Sequence, residues 1–303
     1  MLKLFISLLL VSSLAQAKEN ITIVYAWSPS DSTANYDRVL ADEANKIQNK
    51  YTFLFDTKPG AGSSIATNYV ANTPNTILAT SSTLFIRPIF YPDQSYDLNN
   101  FKELMPQCNA PLAISSVKYK SWKEVPTDRP LTIGTSGLGV TTHLTALQII
   151  KKYPNVQVVP FKSTSDSLLS MVSGQTDLHV AFISEAEAWS KENTDPKRRV
   201  NVLGITGMQK IKQYPTLISE GFPSVLGSMS VPFHLVVPAK LPDDRTQELR
   251  SILTKAAKSK AVLDTYAVDS CIPINMSDSE MEAWFRAQSV QWKKLGSGVK
   301  LDR

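Results

Sequence analysis

Hydroxyl and glycine residues gather at four points along this chain, each just after a short apolar or β-branched run. They are Ser28-Pro-Ser-Asp-Ser-Thr33, Gly60-Ala-Gly-Ser-Ser64, Ser81-Ser-Thr83 and Thr135-Ser-Gly-Leu-Gly-Val-Thr-Thr142. A helix that starts after such a turn leaves about four backbone N–H groups unpaired and carries a partial positive charge. Glycine lets a ligand approach the backbone, and hydroxyls add short donors. Together they would hold a small anion with dipoles rather than full charges. A single turn of this kind is commonly only a cap. Its recurrence at corresponding places in two α/β units points to a binding site.

Other chemistries find less support. Gly60-Ala-Gly62 and Gly137-Leu-Gly139 lack the third glycine of a dinucleotide fingerprint, and no Gly-Lys-Ser/Thr phosphate loop occurs. The histidines, His143, His179 and His234, have no metal-ligand spacing. Ser136 fails the nucleophile-elbow pattern because Leu138 stands where glycine is required. His143, near a helix start, reads as a packing or capping residue. The carboxylates show no pairing suited to acid/base work. Asp177, at the head of an apolar run, fits a turn residue or a pocket residue equally well. The expectation is a protein that is not an enzyme and holds neither metal nor cofactor.

The elements that must position these turns alternate between strand and helix. Strands are expected at 21–25, 51–55, 76–80, 131–135, 156–160, 178–183 and 200–206. Helices are expected at 35–49, 63–70, 141–152 and 165–173, where apolar residues recur at helical spacing. This rhythm predicts parallel sheets covered by helices, and ligands bind such sheets at the carboxyl ends of the strands. Residues 104–116 read as an extended segment leaving the first unit, and 231–237 as one that could return to it. Residues 243–295 read as mainly helical, with a break near Ile272-Pro273. Residues 187–199 read as an exposed helix end and loop.

The N-terminus bears on compartment. Lys3 precedes an almost unbroken apolar run, Leu4 to Leu14, followed by Ala15-Gln16-Ala17. The run is too short for a bilayer core of about 30 Å. The pattern is that of a cleaved secretory signal, residues 1–17, rather than an anchor. The remaining 286 residues favour two domains. Net charge is +5, and Lys151-Lys152 and Lys197-Arg198-Arg199 are too short and too poor in aromatics for a nucleic-acid footprint. The two cysteines, Cys108 and Cys271, could form a disulfide or stay as buried thiols; their spacing does not decide.

Several motifs in order resemble one family. Lys58-Pro-Gly-Ala-Gly-Ser-Ser-Ile65 is similar to the Arg-Pro-Gly-Ala-Gly-Gly-Asn-Ile signature of the tripartite tricarboxylate transporter receptors, the Bug family. Tyr69-Val-Ala71, Tyr96-Asp97 and Asn100-Phe101 follow as in that family. Ser136-Gly-Leu-Gly-Val-Thr-Thr-His-Leu144 resembles its Ser-x-Gly-x-Gly-Ser-x-x-His-Leu turn. Val159-Pro-Phe-Lys162, Gly174-Gln-Thr-Asp177 and Pro215-Thr216 with Glu220-Gly221 resemble its later motifs. The resemblance covers roughly residues 21–295.

The resemblance implies a two-lobed Venus-flytrap fold of the type II periplasmic binding proteins, each lobe an α/β mixed sheet flanked by helices. Lobe one would comprise 18–105 plus 229–303, and lobe two 106–228. It implies a periplasmic monomer that captures a small carboxylate or amino-acid ligand and delivers it to the membrane permease subunits of a tripartite transporter. Carried over by position, the contacts would be Gly62, Ser63 and Ser64 in lobe one. In lobe two they would be Ser136, Gly139, Thr141, Phe161 and Asp177, with Ala181 and Phe182 as a wall. Ser30, Asp31, Ser32 and Ser82, from the other two turns, complete the expected set.

One departure stands out. The family's first loop reads Pro-Gly-Gly-Gly-Thr-Asp, whereas this chain has Pro29-Ser-Asp-Ser-Thr-Ala34. A carboxylate there would repel an anionic ligand by about 1–4 kcal/mol at about 4 Å. Asp31 therefore either turns to solvent or meets a cationic group on the ligand. Val140 also replaces a serine and removes one donor. Two other outputs are compatible with the sequence: a ligand-dependent sensor subunit for a membrane kinase, and a secreted hydrolase using Ser136 and His143.

Overall fold

The computed structural model describes residues 18–296 except 95, 193, 194, 196 and 197; the signal segment expected at 1–17 lies outside them. The chain begins with β1 (Glu19–Tyr25), α1 (Ala34–Ile47), β2 (Tyr51–Thr57), α2 (Ser64–Asn72), β3 (Thr76–Ser81), α3 (Thr83–Phe90) and β4 (Phe101–Pro111). A second unit follows: β5 (Ala113–Ser116), β6 (Leu131–Thr135), α4 (Thr141–Ile150), β7 (Val156–Pro160), α5 (Thr164–Val172), β8 (Leu178–Ala181), α6 (Ile183–Glu192) and β9 (Asn201–Ile205). The chain then returns through β10 (Ser230–Pro238), α7 (Asp243–Ala257), α8 (Lys260–Val268), β11 (Ile272–Pro273) and α9 (Asp278–Gly296).

Two sheets result. The first has the order β2-β1-β3-β10-β4-β11 and the second β7-β6-β8-β5-β9. In the first, β1 pairs in parallel with β2 and β3, and the returning β10 lies antiparallel between β3 and β4. In the second, β6 is parallel to β7 and β8, and β5 is antiparallel to β8 and β9. Every residue of β3 is buried, as a central strand covered on both faces requires. On α1 the buried Tyr36, Leu40, Ala41 and Ala44 fall on one stripe, and that helix packs against α7 and α8.

β4 stays paired with β10 through Pro111, so the chain leaves the first sheet later than the 105/106 boundary read from the sequence. The two crossing segments are tied together. Leu112 N–H donates to Thr206 Oγ1 at 2.8 Å, and Thr206 N–H donates to the Leu112 carbonyl at 2.8 Å. The break at Ile272-Pro273 is the short strand β11, paired with Asn109 and Cys108 on β4. There Cys108 and Cys271 are joined in a disulfide, with Cα atoms 5.5 Å apart.

Candidate ligand-binding site

The carboxyl ends of the parallel strands in both sheets open onto one small cavity of about 40 Å³. Lobe one contributes Tyr25, Trp27, Asp31 and Thr33 from the end of β1, and Ser81 and Thr83 from the end of β3. Lobe two contributes Ser136, Val140, Thr141 and Thr142 from the β6–α4 turn, with Thr164 and Phe182. Leu112 and, from the returning strand, Val231 and Phe233 line it at the crossings.

Four helix starts border this cavity, those of α1, α3, α4 and α5. The residue before α4 is Val140, which has no side-chain acceptor, so the first turn of α4 is uncapped. Thr33 and Ser82, before α1 and α3, cap neither helix. Thr33 is instead hydrogen-bonded to the Tyr25 hydroxyl (2.5 Å), and Ser82 bonds across the cleft to Thr141 Oγ1 at 2.6 Å. Only α5 is capped conventionally, Ser163 accepting from Asp166 N–H.

The glycine-rich turns meet across the cleft. Gly60, Ala61, Gly62 and Ser63 all have positive φ, Gly62 at 56° and Ser63 at 75°. Backbone in this region disfavours a Cβ by about 1–2 kcal/mol per residue, so surrounding contacts must hold the turn. A Cβ on Gly62 would lie 3.0 Å from Arg87 Nη1 and 3.3 Å from Val140 Cγ1 of the facing lobe. Arg87 in turn donates to the Leu138 carbonyl at 2.9 Å. Gly139 also has positive φ, and a Cβ there would lie 2.9 Å from Tyr91.

A second set of cross-lobe contacts is acidic. Asp31 Oδ1 accepts from Ser165 Oγ at 2.9 Å and faces Thr164 Oγ1 at 3.3 Å. Thr164 Oγ1 lies closer, at 2.7 Å, to Glu185 Oε1. Asp269, between α8 and β11, accepts from Tyr36 OH at 2.6 Å and from Ser184 at the start of α6. Burial, and then the charge of Glu185, push the Asp31 carboxyl up to about 7. Burial pushes Asp269 up to about 6, with Glu185 adding to the rise. Among the described residues no lysine, arginine or histidine lines the cavity.

Of the residues expected from the sequence, Asp31, Ser136, Thr141 and Phe182 line the cavity. Ser82 reaches it through Thr141, and Gly62 and Gly139 shape its rim. Ser63 and Ser64 are buried behind the rim, their hydroxyls unpartnered among the described residues. Ser32 bonds Asp269, and Ser30 is exposed and bonded to Ser28. Ala181 is buried in β8, paired with Ala113.

Two residues are corrected. Asp177 lies at the opposite end of the second sheet, where its carboxylate accepts from Thr132 N–H (2.9 Å) and pairs with Lys118 (2.8 Å). It holds the start of β6 to the start of β8. The Phe161 side chain lines a separate groove with Leu169 and Trp189 at the end of the edge strand β7, although the chain just beyond it, at Thr164, reaches the cavity. His143 Nδ1 accepts from Gly139 N–H at 3.1 Å, and burial pushes its pKa down to about 4. Ser136 Oγ bonds Thr142 Oγ1 at 2.9 Å, so no serine–histidine pair forms there.

Sequence reasoning missed Tyr25, Trp27, Leu112, Thr164, Val231 and Phe233. Thr33, Ser81, Thr83 and Thr142 lay inside the quoted turns, where which hydroxyl faces inward depends on the helix start.

The family model of the tripartite tricarboxylate transporter family receptor matches residues 37–301. The chain belongs to this family. No curated protein matches the receptor by sequence. Among solved structures, the periplasmic binding protein BugD superposes with TM-score 0.81 at 17% identity, covering 92% of this chain and 96% of its own. An R. palustris protein with adipate gives TM-score 0.80 at 19% identity, over 93% of this chain and 97% of its own. MatC from Rhodopseudomonas palustris with bound malate gives 0.79 at 16%, over 91% and 98%. These likenesses establish that the receptor has the two-lobed periplasmic binding protein fold. No helix among its described residues is long and apolar enough to cross a membrane.

Proposed function

We propose that this receptor captures a small carboxylate in the cavity between its lobes and presents it to the permease subunits of a tripartite transporter. The observation that carries this reading is the uncapped first turn of α4, set opposite the hydroxyls of Ser81 and Thr83. A carboxylate there would accept from N–H groups and hydroxyls of both lobes, and so would favour their closure. The solved relatives that hold adipate and malate support the ligand class. Ser136, Thr141, Thr142, Ser81 and Thr83 are the proposed donors, and Tyr25, Trp27, Phe182 and Phe233 the walls. Gly62 and Gly139 let the lobes approach. Cleavage after Ala17 would release the protein into the periplasm, where it would act as a monomer.

The experiment is a thermal-shift series on the chain from Lys18 onward, with mono-, di- and tricarboxylates and amino acids. Ligand at about 100 times its Kd stabilises a protein by about 2.7 kcal/mol. The expected result is a concentration-dependent rise in Tm with at least one carboxylate, diminished in Thr141→Val. No rise with any of them would refute the reading.

A further inference from the structure

The lining of the cavity combines hydroxyls and the α4 helix start with the Asp31 carboxylate and the rings of Tyr25 and Trp27. Asp31 is buried, only 6% exposed. Among the described residues no lysine or arginine lies within ion-pair distance of it, and no basic side chain lines the cavity. Thr164 has a single hydroxyl proton, and it lies nearer Glu185 than Asp31. Among the described residues Ser165 is thus the one short side-chain donor to Asp31, its backbone N–H adding a further bond, and both side-chain contacts fall on Oδ1. An ionised carboxylate accepts about four hydrogen bonds, so Asp31 keeps acceptor capacity where it lines the cavity.

The surroundings of Asp31 add negative charge. Glu185 sits across Thr164, its Oε2 3.5 Å from His179 Nε2, and Asp269 lies beyond it against Ser184. The aromatic neighbours are suited to a cation: Tyr25 and Trp27 have ring centroids 5.5 Å apart, and both border the same space. A buried carboxylate without a cation is costly unless something pairs with it. Beside an ionised Asp31 a second carboxylate on the ligand would be repelled.

We propose that Asp31 binds a cationic amino group on the ligand, so that the receptor selects amino-acid-type zwitterions over simple di- and tricarboxylates. This rests on the carboxylate reading above, which assigns the other end of the ligand to α4. Selection then follows from charge: the ammonium lies against Asp31 and the aromatic rings, the carboxylate against Thr141 and Thr142. The raised pKa of Asp31 agrees with this, because it reports a carboxylate that the protein alone leaves undercompensated.

Calorimetry with matched pairs tests the assignment: aspartate against succinate and malate, 2-aminoadipate against adipate, alanine against lactate, and putrescine as an amine without a carboxylate. The expected result is that the amino member of at least one pair binds at least about tenfold more tightly than its amine-free partner. Asp31→Asn, which keeps the shape and an acceptor oxygen, should abolish that preference while its ligand-free Tm shows it folded. Tighter binding of the amine-free members, or an amino preference that survives in Asp31→Asn and in Asp31→Ser, would overturn the proposal and leave the carboxylate reading standing. Binding of putrescine alone, lost in Asp31→Asn, would keep the cationic subsite and refute the carboxylate reading. Binding by none of these probes would overturn both.

Discussion

Gly62→Val separates the two contributions that the 60–63 turn makes. The first is conformational. Gly62 sits at φ 56°, and a side chain there costs about 1–2 kcal/mol whether the lobes are open or closed. The second exists only when the lobes meet. A Cβ would lie 3.3 Å from Val140 Cγ1, and valine adds two methyl groups beyond it; the 3.0 Å approach to Arg87 Nη1 lies within lobe one and belongs with the first contribution. Overpacking of this kind costs about 1–3 kcal/mol. Since Val140 belongs to lobe two, that cost falls on the closed state alone and subtracts from ligand affinity. The expectation is a ligand-free Tm lowered by a few degrees and an affinity weakened about 5- to 100-fold. Scanning calorimetry measures the first and titration calorimetry the second. Gly62→Ala should show the Tm loss with a smaller loss of affinity. A variant with lowered Tm and unchanged affinity would refute the reasoning, because it would mean that the turns do not meet in the ligand-bound receptor.

Other predictions follow from the same geometry. Replacing Cys108 and Cys271 by alanine, which opens a crosslink across 163 positions, should cost about 2–5 kcal/mol in chemical denaturation; an unchanged midpoint would exclude the bond. Asp31 and Asp269 have carboxyl pKa values raised in the folded protein to about 7 and about 6. The stability they contribute is therefore full below about pH 4 and is lost as pH rises through 6–7. Differential scanning of the ligand-free receptor should show this dependence flattened in Asp31→Asn, and an unaltered profile would contradict the assignment. Asp177→Ala should lower Tm, since it removes the acceptor for Thr132 N–H and the partner of Lys118, yet leave ligand affinity unchanged.

How much was legible in the sequence depends on the range of the forces involved. The β1, β2 and β6 runs and the helices after them were readable because hydrophobic period is a local property. The helix α3 was not, because Pro88 lies inside it; Pro88 is its sixth residue, beyond the first turn where proline is ordinarily tolerated. The turns at 60–64 and 135–142 were legible as glycine- and hydroxyl-rich turns before helices, but their meeting across a cleft depends on Pro111–Ala113 and Thr206–Ser230 carrying the chain out and back. Asp177 was misplaced because an aspartate beside a strand reads alike at either end of a sheet. Only pairing fixes that it lies at the amino end, beside Thr132. Val231 and Phe233 gave no signal, since a returning strand of apolar residues looks like any core strand until β10 inserts between β3 and β4.

The resemblance to the receptor family and the physical reading of the turns agree on architecture, but they differ in what they say about Asp31. A glycine-rich first loop would leave that side of the cavity to backbone alone. Here the loop brings a carboxylate under cover and ties it to Ser165 on the opposite lobe. Closure in this receptor therefore involves a carboxyl group as well as hydroxyls.

A crystal structure of the receptor with its tightest-binding carboxylate would settle where the negative group rests. The account predicts a carboxylate oxygen about 2.7–3.2 Å from the backbone nitrogen of Thr141 or Thr142, with the Ser81 or Thr83 hydroxyl on its other side. A carboxylate found elsewhere, with the first turn of α4 making no contact to it, would contradict the account.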